Sequence, residues 1–322
     1  MRIAIFGQQA FGQSVLEAFL DRGDEVAAVF CAPTKPGARP DPLTEAAEAR
    51  GCALYQLPSL RGFDAADALR EADVDIAIMA YVLQFAPQSL VNIPRHGTIC
   101  YHPSLLPRYR GPSSINWPII RGETQTGLTI FRPSDGLDEG PVVLQKTVGI
   151  GPDDTLGAVY FEQLFPLGVQ AMLEAADLVV AGRHSEVPQD EGRASYEGWC
   201  KDAEAEINWH QHVDAVYNLI RGCNPAPGAW TSWNGVKLRL FDARKIPTRT
   251  LGDVAGKPGE VVAIGDDSIT VAAQGGAIEI IRVRPDGAAK ISGADFARAV
   301  GIEPGMRLGV ASATSIRQPE PA

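Results

Sequence analysis

The stretch IAIFGQQAFG, at residues 3–12, decides the fold because a short apolar run passes directly into a helical pattern. Four apolar residues ending at a glycine are typical of a buried parallel strand, and Phe11, Val15 and Phe19 then recur at helical spacing. The same alternation downstream predicts strands at 26–30, 75–80, 97–100, 127–131 and 142–148, and helices at 43–50, 115–121 and 155–181. This order predicts an α/β fold, a Rossmann-like open and mostly parallel sheet with helices on both faces.

Two glycines of that stretch, Gly7 and Gly12, open the first helix, where a phosphate or dinucleotide loop would lie. Their spacing differs from the G-x-G-x-x-G fingerprint, and no Lys-Ser or Lys-Thr pair follows them. We therefore favour a tight strand-to-helix turn with close packing. A nucleotide-dependent oxidoreductase stays a weaker alternative.

The second half of the chain has a different pattern. Residues 183–199 are polar and aperiodic, which is typical of a surface linker. A helix is predicted at 208–220, and five short apolar runs after it, at 229–232, 237–241, 259–263, 268–272 and 277–283, suggest a small OB-like β-barrel. We predict a catalytic domain at 1–182, a linker at 183–206, a C-terminal barrel domain at 207–310 and a flexible tail at 311–322.

Composition limits the class of protein. The 322 residues are 45% hydrophobic and 21% charged, which suits a globular protein of two domains. A net charge of −10 argues against a nucleic-acid surface, although it leaves room for a local basic patch. The five cysteines form no CxxC pair, the N-terminus enters a strand directly, and no apolar run reaches the roughly 18 residues of a membrane span. We therefore expect a cytoplasmic protein with free thiols, no membrane contact and no metal.

Residues that could carry chemistry lie where two predicted strands end. Ligands of open parallel sheets bind beyond the carboxyl ends of the strands, and residues 81–87 and the motif YHPSLLPRYRG (residues 101–111) both lie there. His102, on this proline-stiffened loop, and Asp138, on a glycine-flanked loop, form a candidate proton-transfer pair. Taken singly, His102 could be a structural histidine and Asp138 a turn residue.

The neighbours of His102 leave alternatives open. Cys100 stands two residues earlier in an extended segment, so its side chain points the same way. It is either the nucleophile of a Cys–His pair or, as we favour, a small buried hydrophobe. Arg108 and Arg110 either attract an anionic group or pair with the acidic surface.

Three motifs together resemble the folate-dependent formyltransferase family: HPSLLPRYRG from His102, GLTI from Gly127 and GLDEG from Gly136. The resemblance covers residues 1 to about 200, and PAPGAWT from Pro225 extends it to about residue 310. The chain is most similar to the hydrolase domain of 10-formyltetrahydrofolate dehydrogenases, through SINW (114–117), LFPLG (164–168), YEG (196–198) and INW (207–209). It also resembles the methionyl-tRNA formyltransferases.

The resemblance implies His102 and Asp138 as the catalytic pair and 10-formyltetrahydrofolate as the substrate or formyl donor. It implies a folate site formed by Tyr81, Leu83, Gln84, Phe85, Ser104, Arg110, Ser134, Asp135 and Gly136. The transferases of the family carry an Asn at the position of Cys100, and the hydrolase branch carries an apolar residue. Because a thiol is a much weaker donor to an oxyanion than an amide, Cys100 favours the hydrolase branch.

The resemblance therefore predicts a one-carbon folate enzyme that hydrolyses 10-formyltetrahydrofolate to formate and tetrahydrofolate or passes the formyl group on. The alternatives are an N-formyltransferase for an aminoacyl-tRNA, an amino sugar or another small amine, and a non-catalytic folate-binding module. A tRNA partner is not expected, since Lys35 and Arg39 are the only cations of residues 31–42. The dehydrogenases continue into carrier and aldehyde dehydrogenase domains, so we expect a fragment, a stand-alone enzyme or the partner of a separate carrier or dehydrogenase protein.

Overall fold

A computed structural model of the chain describes residues 1–247 and 256–309, which fall into two compact units. Unit 1 comprises Met1–Ser114, Gln125–Gly149 and Tyr160–Glu197; unit 2 comprises Ile115–Thr124, Ile150–Val159 and the described residues from Gly198 onward. Most of the stretch interpreted as a surface linker, residues 183–197, therefore belongs to unit 1. The predicted flexible tail at 311–322 lies outside the described residues.

Unit 1 is built on a seven-stranded sheet with the order β3-β2-β1-β4-β5-β6-β7. The strands are β1 (Arg2–Gly7), β2 (Glu25–Cys31), β3 (Leu54–Gln56), β4 (Ile76–Ala80), β5 (Thr98–His102), β6 (Gln125–Phe131) and β7 (Val142–Gly149). The first five strands pair in parallel, whereas β6 runs antiparallel to both β5 and β7. The predicted open, mostly parallel sheet is confirmed.

Helices cover the sheet because its central strands are apolar on both faces. All five residues of β4 are buried, as are all residues of β1 after Arg2. The helices of unit 1 before β5 are α1 (Gln9–Asp21), α2 (Pro42–Ala49), α3 (Phe63–Ala72) and α4 (Gln88–Val91).

Close packing explains the glycines between β1 and α1. A Cβ atom on Gly7 would collide with the carbonyl oxygen of Ala80 in the adjacent strand β4. The carboxylate of Asp41 accepts the N–H of Gln9 at 2.7 and 2.9 Å, so an acidic side chain occupies the donor that a phosphate would use. These contacts support the tight-turn interpretation of Gly7 and Gly12.

A continuous helical stretch, Leu156–Val180, is long and apolar enough to cross a membrane by length and composition alone. It consists of α6 (Leu156–Ala158), a π-helical segment (Val159–Leu164) and α7 (Phe165–Val180). Within unit 1, α7 lies against α1 and strands β4 to β7. Gly168 permits this approach, since a Cβ there would lie 2.8 Å from the ring of Tyr101. The contacts of α7 are those of a core helix.

Unit 2 contains two four-stranded antiparallel sheets, with the orders β10-β13-β12-β11 and β15-β14-β9-β8. The strands are β8 (Trp230–Trp233), β9 (Val236–Leu240), β10 (Ala243–Pro247), β11 (Val261–Ile264), β12 (Ile269–Ala273), β13 (Gly276–Ile280), β14 (Arg282–Pro285) and β15 (Ile291–Ser292). The helices are α5 (Asn116–Ile120), α6, α8 (Val213–Gly222) and α9 (Gly293–Val300). An antiparallel C-terminal domain is confirmed, with more strands than the five predicted.

The start of α8 corrects one sequence prediction. The sequence predicts a helix from residue 208, whereas α8 begins at Val213. Asn208 instead forms a local turn, in which its Oδ1 accepts the N–H of His210 at 3.0 Å. His212 then caps the helix by accepting the N–H of Asp214.

Candidate active site

His102 is the last residue of β5 and lies at the carboxyl edge of the parallel strands. The loop that follows it, residues 102–111 and called the His loop below, turns back so that the carbonyl oxygen of Tyr109 lies 2.8 Å from Nε2 of His102. Because a carbonyl oxygen only accepts, Nε2 carries a proton. The nitrogen that remains for chemistry is Nδ1.

Asp138 faces that nitrogen from a second loop, residues 132–141, called the Asp loop below. Its Oδ2 lies 3.5 Å from Nδ1 of His102 and accepts the backbone N–H of Gly111 at 2.8 Å. Asp138 has a φ of 56°, a left-handed conformation that is uncommon for a residue other than glycine. The structure thus brings the two predicted residues together, as an acceptor and a potential proton donor on one site.

Cys100 lies beside this pair. Burial, and to a lesser extent the negative charge of Asp138, raises the pKa of the Cys100 thiol well above its usual range. The thiol points to a carbonyl oxygen of its own strand, that of Tyr101, at 3.7 Å. A protonated thiol with this orientation is a poor nucleophile, which disfavours the Cys–His interpretation.

The residues predicted to contact folate divide by exposure. Tyr81, Leu83 and Phe85 are exposed large side chains on the loop after β4, which is the same sheet edge as His102. Arg61 lies over the ring of Phe85, and the amide of Gln84 donates to the carbonyl oxygen of Leu57 at 2.9 Å. This loop therefore presents mainly apolar and aromatic surface.

In the Asp loop, Ser134, Asp135 and Gly136 precede Asp138. Asp135 is exposed, and the hydroxyl oxygen of Ser134 is buried with no hydrogen-bond partner in the described part of the chain. A Cβ atom on Gly136 would overlap the present position of the Glu139 carboxylate, so a larger residue there would displace that side chain. Ser134 is thus a polar group with unused hydrogen-bonding capacity.

Two of the predicted folate contacts belong to the fully buried residues of the protein. Ser104 is fully buried, and its Oγ donates to the carbonyl oxygen of Arg108 at 2.7 Å. Arg110 is also fully buried, with its guanidinium hydrogen-bonded to Gln189, Glu191 and Tyr196. Their side chains bind other parts of the protein, which argues against a direct contact with a ligand.

Acidic residues of the Asp loop do not combine into a metal site. Asp138 faces His102, while Glu139 accepts a hydrogen bond from the hydroxyl of Tyr196 at 2.7 Å. Across residues 1–247 and 256–309, no group of three or more His, Cys, Asp and Glu side chains could hold a metal ion.

Several residues of the site were not predicted from the sequence. They are Gly111, whose N–H binds Asp138, Thr129, which ties the His loop to β6, and Gln189, which binds the Asp loop. Gly111 is a glycine at the end of the motif YHPSLLPRYRG, and that glycine was a usable sequence signal. Its φ is 90°, a conformation that favours glycine. Gln189 carries no such signal, being one polar residue in a polar stretch.

Comparisons with known proteins agree with this architecture. Residues 1–175 match the family model described as formyl transferase, and residues 200–301 match the one described as formyl transferase, C-terminal domain. The mitochondrial 10-formyltetrahydrofolate dehydrogenase of Homo sapiens is 39% identical over 269 residues, which are 82% of this chain and 28% of that protein. The chain thus spans less than a third of that relative's length.

Two further proteins match nearly the whole chain. The methionyl-tRNA formyltransferase of Geobacter metallireducens is 34% identical over 314 residues, 96% of this chain and 99% of that one. The crystal structure of HypX from Aquifex aeolicus in complex with tetrahydrofolic acid shares the fold, with a TM-score of 0.64 and 23% identity over 94% of this chain and 47% of that one. Since the first family model alone covers more than half of its residues, the chain belongs to the formyl transferase family.

Proposed function

We propose that this chain acts on 10-formyltetrahydrofolate and hydrolyses it to formate and tetrahydrofolate. The observation that carries the proposal is the facing pair of His102 Nδ1 and Asp138 Oδ2 at the carboxyl edge of the sheet, with a thiol at Cys100 beside it. A base and a proton donor on one site are what acyl transfer to water requires.

The surroundings of the pair suit a folate. The exposed Tyr81, Leu83 and Phe85 offer apolar and aromatic surface to a planar ring system, next to the strand that carries His102. The hydroxyl of Ser134, which has no partner among the residues that the structure describes, offers hydrogen bonding from the opposite loop. We expect the pterin between these two loops, with the formyl group toward His102.

In the proposed mechanism Asp138 holds a water and takes its proton as the water oxygen attacks the formyl carbon. The tetrahedral intermediate carries a negative oxygen, which the imidazole of His102 stabilises when Nδ1 is protonated. The bond from the formyl carbon to N10 then breaks, and N10 receives a proton by way of His102. Asp138 passes the water's proton back to His102, tetrahydrofolate leaves, and formic acid leaves as formate and one proton, so that the two residues return to their starting state.

Cys100 supports water over an amine as the acceptor. The transferases that this sequence resembles carry an amide at this position, and an oxyanion-hole amide is worth about 2.7–4 kcal/mol of transition-state stabilisation. A thiol that points to the carbonyl of Tyr101 cannot replace that donor. The intermediates formed from water and from an amine both carry an oxyanion, so the preference for water rests on the likeness of this position to the hydrolase branch, and on that likeness we expect hydrolysis without an amine.

The test is incubation with 10-formyltetrahydrofolate alone and with a panel of amines, amino sugars and aminoacyl-tRNA. We expect tetrahydrofolate and formate above the uncatalysed rate without any amine. Cys100→Asn should raise amine-dependent formylation relative to hydrolysis, and Cys100→Ala, which adds no donor, is the matched control. If tetrahydrofolate is released only when an amine is present, the protein is a formyltransferase and the hydrolase proposal is wrong. Saturable folate binding without release of tetrahydrofolate would indicate a binding module.

An N-formyltransferase is the second candidate, favoured by the end-to-end match to a methionyl-tRNA formyltransferase. The proposal covers only the part of the dehydrogenase relative that this chain matches, which is less than a third of its length. A carrier or dehydrogenase protein is a further candidate partner. Co-purification with tagged protein would reveal such a partner.

A further inference from the structure

The side chain of Gln189 lies at the end of a contact chain that leads to Asp138. Its Nε2 donates to the backbone carbonyl oxygens of both Asp138 and Gly140, each at 2.7 Å. Its Oε1 accepts from Nε and Nη2 of Arg110, at 3.1 and 2.8 Å. Both amide hydrogens and both oxygen lone pairs are therefore used, which fixes the orientation of the carboxamide.

Arg110 makes that orientation unambiguous. A guanidinium can only donate, so the amide oxygen must face Arg110 and the amide nitrogen must face the Asp loop. Arg110 is itself fully buried and held by Glu191, whose carboxylate lies 2.6 and 2.9 Å from its two terminal nitrogens. Backbone bonds between Arg110 and Ser195 and between Glu197 and Arg110 add to the fixed position of this segment.

The Asp loop needs such a support. Asp138 holds a left-handed conformation, φ 56°, which costs a non-glycine residue about 1–2 kcal/mol. In this conformation its carboxylate reaches His102 and Gly111, and Gln189 binds the carbonyl oxygens of the residues on either side of Glu139. A single side chain thus spans the turn that aims the carboxylate.

We propose that Gln189 is a positioning residue for the reaction, which acts through Asp138 and does not touch substrate. The proposal rests on the proposed function for the catalytic part of Asp138. Gln189 clamps the Asp loop so that the carboxylate stays opposite Nδ1 of His102. Arg110 and Glu191 hold the clamp in place.

Two substitutions separate this role from simple stabilisation. Gln189→Ala removes every contact of the carboxamide. Gln189→Glu keeps an acceptor for Arg110 but sets an oxygen against the two loop carbonyls, so the clamp on Asp138 is lost while the contact with Arg110 remains. Arg193→Ala is the matched control, since Arg193 is exposed on the same segment.

We expect kcat to fall by about 10- to 100-fold in both Gln189 variants, with KM within about twofold of wild type, because a small misplacement of a catalytic group has that cost. Arg193→Ala should leave both constants unchanged. Wild-type kcat in Gln189→Glu would overturn the proposal, since Gln189 would then only support Arg110. A raised KM with unchanged kcat would overturn it as well.

A second measurement does not depend on turnover. The N–H of Gly111 is bound to Asp138, so its hydrogen exchange reports whether the carboxylate is in place. Faster exchange at Gly111 in both Gln189 variants but not in Arg193→Ala supports the clamp, and unchanged exchange overturns it. If wild-type protein turns over no formyl folate, the proposed function fails, and exchange at Gly111 still decides the role of Gln189. Gln189→Glu, which keeps the partner of Arg110, serves if Gln189→Ala does not fold.

Discussion

The two halves of the candidate site are held in different ways. The His loop is stabilised by itself and by the neighbouring strand: Ser104 donates to Arg108, and Thr129 on β6 both donates to Ser104 and accepts from Leu106. The turn at Asp138 is held by Gln189, which stands 51 residues after it. The start of the His loop is thus supported by its own residues and the next strand, whereas the Asp138 turn, like Arg110 at the far end of the His loop, depends on the distant segment 189–197.

We expect the largest effects from substitutions of His102 and Asp138, which test whether the two loops form one site. His102→Ala and Asp138→Ala should each lower kcat by at least about 100-fold, because general acid–base groups contribute about 10²–10⁴-fold. His210→Ala is the control, since His210 is exposed in unit 2. Steady-state kinetics on 10-formyltetrahydrofolate, with melting curves for all three variants, provide the measurement. Near wild-type rates in a folded variant of either residue would show that the pair is misassigned.

The next effect concerns Gly111, which belongs to the His loop and binds Asp138. A Cβ atom there would lie 2.5 Å from the carbonyl oxygen of Glu197, at a φ of 90°. Gly23 has a similar φ of 94° but open space around it, so Gly23→Ala shows the conformational strain alone, about 1–2 kcal/mol.

We therefore expect Gly111→Ala to lower both Tm and kcat, and to lower Tm more than Gly23→Ala does. The kcat of Gly23→Ala should equal that of wild type. Differential scanning calorimetry and initial rates make the comparison. Equal losses of Tm in the two variants would mean that the contact with Glu197 relaxes freely.

Thr129 and Thr126 test the internal support of the His loop, since they lie on the same strand and are both buried. The Thr129 hydroxyl binds Ser104, Leu106 and Gln145, whereas the Thr126 hydroxyl has no partner in the described residues. Thr129→Val should cost about 1–3 kcal/mol, because it leaves buried polar groups unpaired. Thr126→Val should cost nothing or stabilise. Urea denaturation measures both, and equal costs would contradict the proposed support.

The sequence predicted much of the fold because the central strands are continuous apolar runs, such as that of β1. It missed β3 and α3 for physical reasons. Three residues, Leu54–Gln56, are too short to show a period. The buried face of α3 consists largely of alanines, Ala65, Ala68 and Ala72, which contrast weakly with polar neighbours.

The two loops of the candidate site differ in how far the sequence predicts them. His102 and its loop could be predicted because prolines, glycine and the strand end all lie within ten residues. The resemblance predicts Arg110 as a folate contact, but Arg110 is fully buried and bound to Glu191 and Gln189. The prediction failed because no local sequence pattern shows that these two residues contact Arg110. Long-range hydrogen bonds between single polar residues leave no periodicity, so the support of Asp138 was not predictable.

The smallest expected effect concerns Glu191, the exposed end of the chain that leads through Arg110 to Gln189. Hydrogen bonds from Arg110, partly opposed by desolvation, hold the pKa of Glu191 below its usual range. A carboxyl group with a lowered folded-state pKa stabilises the fold above its unfolded pKa, about 4.3 for Glu, and this contribution is lost as the pH falls through the lowered value. Because the carboxylate is exposed, solvent screening keeps the effect small.

We therefore expect the Tm of the wild type to fall more steeply on acidification than the Tm of Glu191→Gln, whose amide does not titrate. Glu71→Gln, an exposed position on α3, should follow the wild type. Melting curves recorded from about pH 6 to pH 3, the window in which a carboxyl group with a lowered pKa takes up its proton, make the comparison. Parallel curves for wild type and Glu191→Gln would mean that Arg110 holds Gln189 without help from this carboxylate. The position of Asp138 would then depend only on the buried contacts of Arg110 and Gln189, and the exposed Glu191 would add nothing to it.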